Sequence, residues 1–158
     1  MSRAKIEPSE FRVASGFWTT GVSIVSTADL SGVPFGLTMN SVTSLSLEPP
    51  MFLVCVDLSS DTMEPMLERN AFCINILTDQ QQELSNRFAK KGDNKFDSVN
   101  WETAATKTPI ISDSFLSIEC DIRHIHEGGD HKIVCGEAVV LHFNSNPDVK
   151  PLIYYKGK

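Results

Sequence analysis

The chain has 158 residues, 41% of them hydrophobic and 22% charged, with a formal net charge of -6. That length predicts one domain over 1–158, able to bury roughly 70% of the surface its unfolded form exposes. The acidic balance argues against nucleic acid, whose phosphates need a basic face, and against anionic membrane surfaces, and no apolar run reaches the roughly 18 residues of a membrane-spanning helix.

The first seven residues are charged and lack the apolar stretch of a signal peptide, so a cytoplasmic location is expected. Pro8 suits a first helical turn and Gly16 a helix end, which predicts a short helix over 8–15. The β-branched stretch 22–27 reads as a strand, 29–32 as a turn and 34–39 as a second strand. Pro49 and Pro50 break the chain. The nearly continuous apolar run 51–56 then reads as a strand buried on both faces. A helix is expected over 62–69 and another apolar strand over 72–77. Thr78-x-x-Gln81 resembles a capping box that opens a helix running through Leu84 to Phe88. From 90 to 114 there is little periodicity, so that region reads as loop with fragments of order.

Over 115–125 the apolar residues Leu116, Ile118, Cys120 and Ile122 alternate with Ser117, Glu119, Asp121 and Arg123. That pattern predicts a strand with one buried face and one wet face. Gly128 and Gly129 supply a turn, and 131–143 returns as the second arm of an antiparallel hairpin. The four cysteines, Cys55, Cys73, Cys120 and Cys135, form no C-x-x-C pair and sit in apolar stretches. They read as buried thiols, not as a zinc or redox site. Six or so strands with short helices between them make a mainly β protein, and closure into an antiparallel barrel would remove exposed edges.

Chemistry concentrates in a few places. Of the nine residues 38–46, six carry a hydroxyl or an amide: Thr38, Asn40, Ser41, Thr43, Ser44 and Ser46. Such a ledge can bind a phosphate or a polar heterocycle; it equally fits a sheet margin with hydroxyls facing water. Residues 57–62 carry hydroxyls into a helix start, which suits either an anion or ordinary capping, and Asp57 and Asp61 would repel a phosphate. Arg87, Lys90 and Lys91 could clamp phosphate oxygens or simply complement a helix C-terminus. His131 could bond a ligand or cap the hairpin. His124, His126 and His131 invite a metal reading, but the acidic residues nearby are wrongly spaced, and no metal is expected. No Rossmann or P-loop glycine pattern, G-x-S-x-G elbow or H-E-x-x-H is present.

The segment 36–50, GLTMNSVTSLSLEPP, resembles the hallmark of the flavin reductase family with the FMN-binding split-barrel fold. Four further segments fall in the family's order: Phe11 to Val22, Asn86-Arg87-Phe88-Ala89, the stretch 129–137, and the stretch 151–157. Together they span essentially the whole chain, and the resemblance is greatest to reductase components of two-component flavin-dependent monooxygenases. It implies a six-stranded antiparallel Greek-key split β-barrel with short peripheral helices, a homodimer, and flavin near the subunit interface. It further implies hydride transfer from NADH or NADPH to FMN or FAD, with reduced flavin passing transiently to a monooxygenase partner.

Carried onto this chain, the resemblance sets Thr38, Met39, Asn40 and Ser41 beside the isoalloxazine. Thr43 and Ser44 approach the ribityl or phosphate. Cys55, Asp57, Leu58, Ser59, Ser60 and Thr62 line the other side, and Phe88, Ala89, Lys90 and Lys91 complete the pocket. His131 falls near the nicotinamide as the catalytic positioning group, and Tyr154 helps cover the site. Only Arg123 and Lys132 supply cations near His131, which favours NADH over NADPH. A flavin-bound electron carrier, a reductase of another substrate and a non-catalytic ligand-binding barrel share the same local motifs.

Overall fold

Stretches rich in β-branched and aromatic residues pair into one large antiparallel sheet and two small two-stranded ones. The computed structural model describes residues 5–92 and 94–157, so residues 1–4, Asp93 and Lys158 lie outside the account. In chain order the elements are α1 (Pro8–Ser15), β1 (Thr20–Gly21), β2 (Ser23–Ala28), β3 (Pro34–Met39), β4 (Val42–Leu47) and β5 (Pro50–Asp57). Next come α2 (Met63–Arg69), β6 (Ala71–Ile76), a 3-10 turn (Asp79–Gln81), α3 (Gln82–Phe88), β7 (Trp101–Thr103) and β8 (Pro109–Ile111). The chain ends with β9 (Leu116–Gly128), β10 (His131–Phe143) and β11 (Ile153–Tyr154). Among the described residues no helix is long and apolar enough to cross a membrane.

The main sheet has seven strands, one more than expected, in the order β3-β2-β6-β9-β10-β5-β4. Its two edges, β3 and β4, are consecutive in sequence and joined only by Asn40 and Ser41. Laid flat, seven strands would set those edges roughly 29 Å apart. The chain from Met39 to Val42 reaches at most about 11 Å. The sheet must therefore curl until its margins meet. Ser41 anchors the joint, accepting the Cys55 N–H on its carbonyl at 3.1 Å and donating its hydroxyl to the Cys55 carbonyl at 3.0 Å.

The curl encloses one apolar cluster built on Val25, Val54, Phe72, Ile74, Ile118 and Val134. A second cluster, with Ile24, Leu77, Phe88 and Ile111, lies on the outer face under α3 and β8. β2 stands between the two, which is why all six of its residues are buried. The strand expected to be buried on both faces, β5, is buried on one: Val54 and Val56 are inside, while Leu53 and Cys55 are only partly covered. Cys73, Cys120 and Cys135 are buried and all four thiols are free. The break at Pro49 is a hairpin turn, with Leu47 paired to Pro50. At the bulge between Cys135 and Gly136, a side chain on Gly136 would meet the Phe72 ring at 2.6 Å, so glycine permits this crossing.

The alternation on β9 misleads in one respect. Ser117 and Glu119, expected to be wet, are buried beneath residues 104–111, part of the region that lacks periodicity. Thr106 donates both its N–H and its hydroxyl to Glu119 Oε2, each at 2.7 Å, and His142 Nε2 lies 2.8 Å from Oε1. Beside them Asn75 donates to the Ile24 carbonyl at 3.1 Å and to Ser26 Oγ at 2.9 Å. Its oxygen accepts from the Ile111 N–H at 2.9 Å and from Ser117 Oγ at 2.8 Å. Polar side chains survive burial here because each is satisfied.

Candidate functional site

The outer surface of β3 carries the site. Thr38 donates its hydroxyl to the Ser85 carbonyl at 2.6 Å, which ties β3 to α3. Gly36, without a side chain, admits the Phe88 ring; a Cβ there would lie 3.1 Å from it. Phe88 meets Phe96 edge-on at 4.8 Å, and Phe96 meets Trp101 at 5.8 Å. These contacts press the end of α3 and the segment after it against β3.

Three cavities open along this seam. The first, of 290 Å³, lies among Thr38, Met39, Asn40, Asn86, Ala89 and Tyr154. The second, of 220 Å³, lies among Thr38, Asp57, Ser60, Ala89, Lys90 and Lys91. They share Thr38 and Ala89, so they form one trough with an amide-bearing end and a cationic end. The third, of 250 Å³, shares Asp61 and Lys95 with the second.

Charge is arranged closely in the second cavity. Asp57 Oδ1 accepts the Ser59 N–H at 2.6 Å. Hydrogen bonding from Ser59 holds the Asp57 carboxyl below its ordinary value against a small opposing effect of burial, with His131 and Lys91 adding to the lowering. His131 is the cross-strand partner of Asp57, and its Nδ1 lies 2.7 Å from Asp130 Oδ1. Lys95 extends its ammonium to within 3.1 Å of the Gly36 carbonyl and 3.5 Å of Asp61 Oδ2.

Of the residues singled out from sequence, Thr38, Met39, Asn40, Ala89 and Tyr154 come together in the first cavity. Asp57, Ser59, Ser60, Phe88, Lys90 and Lys91 join Thr38 and Ala89 in the second. The others stand outside both. Ser41 and Cys55 are bonded to each other at the strand joint. Thr43 and Ser44 lie further along β4, opposite Leu53 and Phe52 and exposed. Leu58 is half-exposed and donates its N–H to the Asp130 carbonyl at 3.0 Å. Thr62 is fully buried at the start of α2 and donates its hydroxyl to Asp61. His131 sits at the rim beside Asp57. Among the described residues no three His, Cys, Asp or Glu side chains gather into a metal-binding cluster.

Sequence reading missed Lys95. It falls in the aperiodic stretch after Gly92, and only the packing of Phe96 on Phe88 brings it back over β3. The one signal was a cation directly before an aromatic residue in a polar loop.

Comparison with known proteins supplies the family. The flavin reductase like domain matches residues 15–158. The reductase subunit HsaB of a flavin-dependent monooxygenase from Mycobacterium tuberculosis is 36% identical over 156 residues, covering 98% of this chain and 82% of that protein. A Rhizobium meliloti relative is 37% identical over 157 residues, and the chain spans half of its length. Among solved structures, the NADH:FAD oxidoreductase of Streptomyces globisporus superposes with a TM-score of 0.89 at 27% identity, covering 100% of this chain and 96% of that one. On the match over residues 15–158 and these relatives, the chain belongs to the flavin reductase family.

Proposed function

We propose that this chain is an NAD(P)H:flavin oxidoreductase that hands reduced FMN or FAD to a separate monooxygenase. The observation that carries the reading is the trough over β3. A drug-sized ligand needs roughly 300–1,000 Å³. Neither the 290 Å³ nor the 220 Å³ cavity provides that alone, so a flavin would cross from one to the other over Thr38 and Ala89. The donor set fits that placement. Val22 and Leu152 offer apolar surface to a ring system, Asn40 and Asn86 offer amides to its polar edge, and Lys90 and Lys91 wait at the far end for phosphate.

Hydride transfer from nicotinamide to a bound flavin is chemistry the cofactors supply. The chain's task is to bind and orient. Thr38, fixed by Ser85, holds the trough floor, and Tyr154 closes one side. His131, anchored on Asp130 at the rim, positions the nicotinamide. No acid–base pair is needed for that transfer; the Asp57 and Asp61 carboxylates that line the cationic end are engaged by Ser59 and by Lys95.

The same reading treats the curled sheet as a single-domain Greek-key split barrel, with one strand more in its sheet than the six-stranded form. Exposed Leu45 and Leu47 on β4 and Val139, Leu141 and Phe143 on β10 support a homodimer, since apolar surface of this kind marks association. A net charge of -6 supports a protein that binds neither nucleic acid nor anionic membrane, and a cytoplasmic location fits a reductase that draws on NADH. The test is NADH oxidation followed by absorbance, with FMN and FAD supplied separately to the purified protein. Flavin-dependent oxidation is the expected result; no acceleration by either flavin overturns the assignment.

A further inference from the structure

We propose that His124 and His126 on β9 form a surface chelate for a late first-row divalent metal ion such as zinc, a site separate from the trough over β3. The two residues stand two apart on an extended strand, so both rings project from the same side of the sheet. Their centroids are 6.2 Å apart and their planes differ by 28°. Both residues are exposed. The other two histidines have partners: His131 Nδ1 lies 2.7 Å from Asp130 Oδ1 and His142 Nε2 lies 2.8 Å from Glu119 Oε1. Among the described residues neither His124 nor His126 is hydrogen-bonded or ion-paired through its ring. His131 turns to Asp130 at the hairpin tip, so a pair of imidazoles, not a triad, is the unit.

The geometry is close to what an ion requires. Zinc–nitrogen bonds of about 2.0–2.1 Å at a tetrahedral angle set two ring centroids roughly 5 Å apart. From 6.2 Å the rings close by about 1 Å, which small side-chain rotations supply. Water completes the shell. The donor set chooses the metal. Imidazole nitrogen suits zinc, copper and nickel, whereas magnesium and calcium want oxygen. Carboxylate oxygen is already engaged nearby: Glu127 binds Lys132 at 2.9 Å, and Glu137 binds Arg123 at 2.8 Å. Those two pairs also neutralise the cations that flank the histidines.

The site falls where β9 has lost a neighbour. β6 pairs with β9 only as far as Asp121. Beyond it, β9 is held from one side, by β10, with His124 opposite Cys135 and His126 opposite Ile133. An exposed strand edge invites pairing with other chains. Chelation across residues two apart fits only the extended backbone, so the ion fastens this arm in its strand form.

The experiment is calorimetric titration of the full chain with zinc chloride, and with magnesium chloride as the hard-ion control, in the wild type, His124→Ala, His126→Ala and His131→Ala. The histidines of the pair are exposed and unpartnered, so their replacement leaves the fold intact. The wild type is expected to bind one zinc and no magnesium. Each of His124→Ala and His126→Ala should weaken zinc by at least the roughly 10–100-fold that loss of a supporting group costs a metal site. His131→Ala should leave zinc binding unchanged. Zinc should also raise the Tm of the wild type and of neither His124→Ala nor His126→Ala, because an ion that binds only the folded strand stabilises it by mass action. No zinc binding by the wild type overturns the proposal. Binding that survives either His124→Ala or His126→Ala also overturns it, by assigning the ion to a thiol or to adventitious contact. Loss of zinc in His131→Ala, equal binding of magnesium, or a wild-type Tm indifferent to saturating zinc each does the same.

Discussion

Replacing Glu119 with glutamine tests whether the buried carboxylate under residues 104–111 is held as an anion. Glu119 has no exposed surface and receives three hydrogen-bond contacts, two from Thr106 and one from the His142 ring. Burial raises its carboxyl, but the bonds from Thr106 and His142 outweigh burial and leave it below the ordinary value. Glutamine keeps the shape and one acceptor oxygen but loses the charge that strengthens each bond. Charge-assisted bonds contribute about 1.5–3 kcal/mol against about 1 for neutral ones, so the variant loses about 2–3 kcal/mol. For a chain of this size that lowers Tm by about 6–10 °C near neutral pH. The sign with pH follows from the depressed value. The stabilisation is present above the carboxyl's unfolded value and is lost as pH falls through the folded one, because the unfolded chain takes up the proton first. Thermal melts followed by circular dichroism near pH 7 and again in acid, below the folded carboxyl's value, should show the wild type and variant converging. A gap of the same size at both pH values, or none near neutrality, would refute the reasoning.

Three further outcomes are expected. Gly136→Ala should destabilise the chain by about 1–3 kcal/mol in denaturant melts, because its Cβ would press on the Phe72 ring at 2.6 Å and on Cys120 Cβ at 2.8 Å; an unchanged midpoint would mean the crossing relaxes freely. His131→Ala should raise the KM for NADH more than the Kd for flavin in steady-state and titration assays, and unchanged values for both would remove His131 from the site. Burial, with Asp121 and Glu119 adding to it, pushes the Cys120 thiol up to about 12, and burial raises Cys73 well above its ordinary value. A thiol reagent near neutral pH should therefore modify Cys55 first in the native protein and all four thiols only after unfolding; rapid native labelling of Cys73 or Cys120 would contradict this.

The long elements were legible because their patterns are strong. The β9–β10 hairpin announces itself by alternation and by Gly128-Gly129, and α3 by the capping box of the 3-10 turn that leads into it, in which the Thr78 N–H reaches Gln81 Oε1 at 3.0 Å. What escaped is short or tertiary. β1, β7, β8 and β11 have two or three residues each, too few to show a period. β4 reads as a polar ledge because its hydroxyls mask its pairing with β5. Glu119 reads as wet because nothing local reveals that residues 104–108 return over it. The site divides the same way. Thr38 and Asn40 carry a motif, whereas Lys95 reaches the ledge through aromatic packing between segments that share no pattern.

The two-residue joint between β3 and β4 has a bearing on the protein's lifetime. Any molecule resting on Thr38, Met39 and Asn40 leans on the same few residues that hold both margins of the sheet. Occupancy there restrains global opening, not only a local loop, so a bound small molecule raises the threshold for unfolding of the whole chain. Proteolysis that depends on opening would slow when that molecule is abundant, and its scarcity would expose the protein to turnover.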